Sequence, residues 1–224
     1  MTAINIAVPA AFIDAALCAV SKEETRYYLK GVFIDARGFI AATNGHIAFA
    51  ARCAEAAKLA DVTFDLPGSL PGIIVPEAAL RQANKAAGRA KGLCYVIERD
   101  ANGLWWILYG AARVHFEPVD GSFPDWTRIV PTAPETLTAA HYQPQYVAAM
   151  GEMSRALRDG KKDAAPFFRI HQAGENPALV TFDRPTESAG DKPGPRTDCL
   201  AVLMPMRCKS DLAGATFTDN FLKG

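Results

Sequence analysis

Three times the chain runs through one order of elements: a short apolar strand, a residue or two containing proline, a helix, and then more strands. Ile4 to Val8 leads through Pro9, which the first helical turn tolerates, into a helix from about Ala10 to Val20. Phe12, Ile13, Ala16, Leu17 and Val20 form its apolar side. Ile73 to Pro76 leads into a helix from Glu77 to about Ala87, followed by strands at Leu93 to Glu98, Leu104 to Tyr109 and Arg113 to Pro118. After residue 135 a strand at Leu137 to Ala139 and Tyr142-Gln143-Pro144 precede a helix from about Gln145 to Leu157, and Phe167 to His171, Ala178 to Phe182 and Leu200 to Met204 read as strands. Parallel α/β folds need a helix for almost every strand, so this order predicts an α+β chain with antiparallel sheets and helices on one face.

Within the first copy, Ser21 to Thr25 is polar, and Tyr27 to Ile34 reads as a strand. A turn near Ala36-Arg37-Gly38 returns the chain through Phe39 to Thr43, and the tight Asn44-Gly45 turn starts a third strand ending near Arg52. Cys53 to Gly72 reads as loop with one strand at Val62 to Leu66, and Arg184 to Arg196 as a long flexible loop rich in Pro, Gly and charge.

Lysine plus arginine and aspartate plus glutamate number 24 each. Any contact with nucleic acid must therefore depend on where the cations lie. The cysteines at 18, 53, 94, 199 and 208 have no paired or metal-like spacing, which predicts reduced, mostly buried thiols and a cytoplasmic protein. No positive segment precedes an apolar run at the N-terminus, so no signal peptide is expected, and no apolar run approaches the ~20 residues that cross a bilayer.

Catalysis has little to stand on: there is no phosphate-binding glycine loop, no nucleophile elbow and no ligand-spaced His or Cys group. His46, His115, His141 and His171 read as structural or surface residues, and no reason joins Asp35, Asp120 and Asp125. Cations do follow a pattern. Arg81 and Lys85 share a face of the second helix, with Arg89 beyond, and Arg155 and Arg158 share a face of the third, with Lys161 and Lys162 at its end. Two such helices can present a positive surface to phosphates; the plainer reading is a solvated face with cations near helix C-termini, and the first helix carries Asp14 and no base.

Arg26-Tyr27-Tyr28-Leu29-Lys30-Gly31, followed after one hairpin by Ala42-Thr43-Asn44-Gly45-His46, resembles the middle domain of the bacterial sliding clamp family, the beta subunit of DNA polymerase III. The run Gly121-Ser122-Phe123-Pro124-Asp125-Trp126-Thr127-Arg128-Ile129-Val130-Pro131 is similar to the link leaving that domain. Val202-Leu203-Met204-Pro205-Met206-Arg207 is similar to the clamp's C-terminal strand. The resemblance implies the DNA-clamp fold, in which helices line a central channel and sheets form the outside. By this likeness residues 1–131 form one complete domain of two units, 132–207 half a domain of one unit, and 208–224 a tail. Three units stand where the clamp chain has six, so four chains would supply the twelve of a ring; a small dimer and a monomer outside a ring stay open.

The resemblance also implies sites. A peptide-binding groove for polymerase and clamp-loader segments would be walled by Leu29, Thr43, Gly45, His46, Pro131, Val202, Leu203, Met204, Pro205, Met206 and Arg207. Its methionines would give an adaptable apolar floor. Ile47 and Ala48 depart from the family's basic and aliphatic residues and make the rim less polar, and the tail with Phe217, Phe221 and Leu222 would fold back over the groove or reach a neighbouring chain. Arg26, Tyr27 and Tyr28 resemble a loop that contacts duplex DNA, joined on helix geometry by Arg81, Lys85, Arg155 and Arg158; contacts would be to the backbone, without sequence specificity. The implied protein is a non-enzymatic processivity or scaffold factor, without metal or cofactor, of phage, prophage or plasmid type. The other reading is an interaction module that modulates host replication proteins without encircling DNA. A DNA-processing enzyme on this fold would need acidic or metal-binding residues that the sequence does not display.

Overall fold

The structure is a computed structural model that describes residues 4–53, 66, 71–132, 140–158, 167–184 and 194–206. The expected strand at Leu137 to Ala139, all but the last residue of that at Val62 to Leu66, most of the 184–196 loop, Lys161, Lys162, Arg207 and the tail lie outside these residues. Eleven strands are described: β1 (Ile4–Pro9), β2 (Gly31–Asp35), β3 (Phe39–Thr43), β4 (Ile47–Arg52), β5 (Gly72–Pro76), β6 (Cys94–Arg99), β7 (Trp105–Tyr109), β8 (Ala112–Phe116), β9 (Phe168–Ala173), β10 (Asn176–Phe182) and β11 (Cys199–Leu203). The helices are α1 (Ala10–Ala16), α2 (Glu77–Ala87) and α3 (Pro144–Ala156).

The strand pairings among the described residues are all antiparallel, in two sheets of order β1-β6-β7-β8 and β5-β2-β3-β4-β11-β10-β9. The first two copies exchange their first strands. β1 pairs with β6 of the second copy, Pro9 facing Cys94, and β5 pairs with β2 of the first, Pro76 facing Gly31. The exchange also satisfies the exposed amides at the helix starts: Ala10 N donates to Leu93 O at 2.8 Å and Glu77 N to Lys30 O at 3.0 Å. A helix N-terminus otherwise leaves such donors to side chains or water, and neither helix has a side-chain cap. The third copy adds β9, β10 and β11 to the first copy's sheet through β11 and β4.

Two expectations are corrected. Tyr27 to Lys30 is not strand: Glu24–Leu29 runs as 3₁₀ turns that meet at a kink at Arg26 (φ −108°, ψ 50°). Ion pairs Arg26–Glu23 (3.2 Å) and Lys30–Glu24 (2.6 Å), with Lys30 N donating to Tyr27 O, tighten the segment so that Leu29 enters the interior while Glu24 and Tyr27 stay exposed. α1 also ends at Ala16, because Cys18 N and Ala19 N donate three residues back, to Ala15 O and Ala16 O.

One apolar core joins both sheets and the helices. Phe12 and Ile13 of α1, Leu80 and Ala83 of α2, and Met150 and Met153 of α3 are all buried there. Arg196 is buried too, at 7% exposure, and its guanidinium ties three elements together. It donates to both Asp198 carboxylate oxygens (2.9 and 3.0 Å) and to Leu157 O at the end of α3 (2.8 Å), and lies 5.6 Å from the Phe12 ring of α1. Burial pushes the Asp198 carboxyl pKa up, but Arg196, with Arg184, outweighs it and leaves it lowered. Asp35 is similar: burial raises its carboxyl, and hydrogen bonds from the Arg37 side chain and backbone outweigh this and lower it. Burial also pushes the Cys53 and Cys199 thiols up to about 12, so they are packing groups at neutral pH.

Replacing Arg196 with Met should cost about 3 kcal/mol, the order for breaking a buried pair from one side, read as a lower denaturant midpoint with an unchanged slope. The two aspartates have native pKa values below their unfolded ones, so their contribution is present above the unfolded value near pH 4 and is lost as pH falls through the lowered native values. Urea unfolding at pH 7 and pH 3 should therefore show a drop in stability, and a smaller drop in Arg196→Met.

Candidate peptide groove and helix face

The β4–β11 pairing brings the separated motifs together. Ala48 faces Val202 and Ala50 faces Leu200 across this seam; Thr43 and Ala41 flank them on β3, and Leu179 follows Val202 on β10. Because side chains alternate along a strand, Ile47, Phe49, Ala51, Ala201 and Leu203 enter the core on the helix side. Thr43, Ala48, Val202 and Leu179 then form a row on the outer face, with Ala41, Ala50, Leu200 and Thr181 as the next. Leu203, expected as a groove wall, is packed in the core, as is Ile47, whereas Val202 at 1% exposure, Ala48 and Thr43 are buried on the outer face, outside that core cluster.

The Asn44-Gly45 turn closes one end of the row. Asn44 Oδ1 accepts from His46 N (2.9 Å) and Ile47 N (3.0 Å), while Thr43 Oγ1 donates to Ile47 O (2.8 Å) and accepts from Gly45 N (3.1 Å). Gly45 has φ +88°, and a Cβ there would stand 2.6 Å from Arg26 Nη1, so both conformation and space call for glycine. Arg26 Nη1 in turn lies 3.5 Å from Asn44 O, so the two halves of the hairpin motif touch. Beyond β11, Met204 N donates to His46 O (2.9 Å) and Met206 N to His141 O (2.7 Å); Pro205, which has no amide proton, stands where the chain passes from one partner to the other. Met204 and Pro205 are half-buried and Met206 is 42% exposed. Leu29 is buried outside the main core. The His46 ring stacks on Tyr146 of α3, 5.0 Å between centroids, which turns it toward the helices.

The link after β8 crosses the same outer face. Val119 N donates to Ile74 O, Phe123 stacks on Phe33 (4.8 Å between centroids), and Trp126 packs on Phe39. Of this link, Trp126 shares a cleft with Leu179 and Leu200, whereas Pro131 is half-buried five residues on, past a 3₁₀ turn at Trp126–Ile129. Arg207 lies outside the described residues.

The residues proposed for DNA occupy two regions. Tyr27 is 54% exposed, with Tyr28 edge-on beside it. The three helices converge on a cleft of about 640 Å³ lined by Lys22, Arg81 and Lys85 and also by Asp14, Glu77 and Glu152. Arg81 pairs with Glu77 (2.6 Å), Arg155 pairs with Glu152, and Arg158 Nε donates to Arg155 O (3.0 Å). This face is therefore balanced in charge, with much of its arginine held locally. Asp14 sits half-buried in it, where burial raises its pKa against the opposing charges of Lys91 and Arg81. Among the described residues no three metal-ligating side chains cluster, and no helix is long and apolar enough to cross a membrane.

Sequence reasoning missed Leu179, Leu200 and Trp126 on the outer face. Strand alternation around Val202 carried the signal for Leu200; Leu179 required the β10–β11 register, and Trp126 required the path of the link.

No family profile matches the chain. A beta sliding clamp of Caulobacter vibrioides (strain NA1000 / CB15N) is 29% identical over 132 residues, covering 53% of this chain and 31% of that protein. The solved DnaN sliding clamp of Bartonella birtlesii, bound to griselimycin, superposes with a TM-score of 0.55 at 18% identity over 92% of this chain and 66% of that one. The Caulobacter crescentus pol III beta structure gives 0.54 at 20% identity, over 91% and 66%. The chain thus spans under a third of the curated relative and about two thirds of the solved clamps. The chain is similar in sequence to a bacterial beta sliding clamp over part of its length and shares the sliding-clamp fold over about two thirds of the solved clamps.

Proposed function

We propose that the chain acts as a clamp-like replication scaffold, a non-catalytic protein that holds duplex DNA without sequence specificity and docks polymerase or loader segments on its outer face. The observation that carries this reading is the β4–β11 seam. It sets Thr43, Ala48 and Val202 in one row beside Met204 and Met206, giving small floor residues next to adaptable thioethers. The groove comprises Leu29, Thr43, Gly45, Val202, Met204, Pro205 and Met206, with His46, Pro131 and Arg207 at its margins. DNA backbone contacts fall to Arg26, Tyr27 and Tyr28 and to Lys85, Arg81, Arg155 and Arg158 on the helices. In this reading residues 1–131 act as a complete domain and 132–207 as half of one, so a ring needs several copies.

A second reading is favoured by the charge balance of the helix face. Where Glu77 and Glu152 hold Arg81 and Arg155, few cations are left to replace counterions on phosphate, and the chain would modulate host replication proteins through the groove alone. Both readings require the groove. A fluorescein-labelled apolar tetrapeptide, Leu-Val-Leu-Phe, titrated against the wild type and Met204→Ala should bind the variant about five- to tenfold more weakly, the loss of one interface anchor. Equal affinities would remove the groove assignment.

A further inference from the structure

Resting on the groove reading, we infer that the docking site extends under Trp126 and takes a partner segment whose apolar anchor is flanked by carboxylates. Beside the Thr43–Ala48–Val202 row lies a cleft of about 230 Å³. Ala50 and Leu200 form its floor, Leu179 and Thr181 one side, and Phe39 and Trp126 the other. That volume is below the range of small-molecule sites and suits one large side chain. Same-face positions along a strand are about 7 Å apart, so an extended peptide in the groove reaches the cleft within two or three residues.

Charge fixes the partner's chemistry. Arg52 lines the cleft with its guanidinium 5.4 Å from the Phe39 ring centroid, and among the described residues no carboxylate pairs with it. Arg169 stands opposite Thr181 on the next strand, and Arg128 lies two residues past Trp126; both are exposed. Of the nearby acids, Asp198 is engaged by Arg196 and Arg184 and Asp35 by Arg37, while Asp125, beside Trp126, accepts from Thr127 and lies near Arg37 and Arg128, and Asp183 follows Thr181 by two residues. Arg52 and Arg169 are left as the exposed cations on the strand side of the apolar cleft, matched by an aromatic or leucyl anchor between acidic residues.

The test uses three labelled probes: Leu-Val-Leu-Phe, Leu-Val-Leu-Phe-Asp-Trp-Asp and Leu-Val-Leu-Phe-Asn-Trp-Asn. The acidic heptapeptide should bind about tenfold tighter than the tetrapeptide at low salt, and the Asn peptide should gain less. Arg52→Gln should remove the advantage of Asp over Asn, and Ala50→Leu, which fills the cleft, should remove the gain of both heptapeptides; neither should change the tetrapeptide's affinity. If the tetrapeptide binds and the heptapeptides bind no tighter, or if the gain survives both variants, the inference is overturned and the groove stands. If no probe binds, groove and extension fall together. A concentration-dependent dimer abolished by Ala50→Leu would assign the cleft to a second copy and overturn the peptide partner. Arg52 is exposed, so its variant reports even if Ala50→Leu folds poorly.

Discussion

The antiparallel ladder between β4 and β11 is the constraint on which the rest depends. Its five residue pairs, from Cys199 opposite Ala51 to Leu203 opposite Ile47, join segments about 150 residues apart into one sheet. The register decides which side chains face the helices and which face outward, since a slip of one residue would exchange the two sets. In the observed register Phe49, Ala201 and Leu203 close the core, and Ala48, Val202 and Leu200 are left for the outer face. Arg196 supports the ladder from its end, since Asp198, its partner, also gives its carbonyl to Arg52 N of β4 at 2.8 Å.

Much of this architecture was legible in the sequence because the signals were local. The α2 bounds at Glu77 and Ala87 agree with the proline entry and with Gly88, whose φ is +56°. The Asn44-Gly45 turn stands where its residue types require it. Tyr27 to Lys30 was misread because an aromatic run resembles a strand, while the interactions that coil it, Arg26–Glu23 and Lys30–Glu24, are side-chain pairings that composition does not rank. The exchange of β1 and β5 between copies could not be read at all, since pairing partners lie about 90 or 40 residues away and periodicity carries no address.

The site was legible in part. The motif from Val202 onward enters from β11, but it runs continuously whereas a strand shows alternate residues to each face, so Leu203 falls in the core and Val202 on the outer face. The helices teach a related lesson: Arg81 and Arg155 do stand on helix surfaces as spacing predicts, yet Glu77 and Glu152, four and three residues earlier, meet them there. A chain with equal numbers of acids and bases can still hold a local field, and on the outer face Arg52, over the Phe39 ring, has no carboxylate partner among the described residues.

Whether the proposed clamp-like role involves encircling DNA or a groove alone is decided by topology rather than affinity. The direct measurement is the mass of the protein, alone and on nicked circular duplex, followed by cutting the circle. Clamp-like action predicts a multimer retained on the closed circle through a wash and released when the circle is linearised. A strict monomer that is never retained, or protein held equally on circle and line, would contradict it.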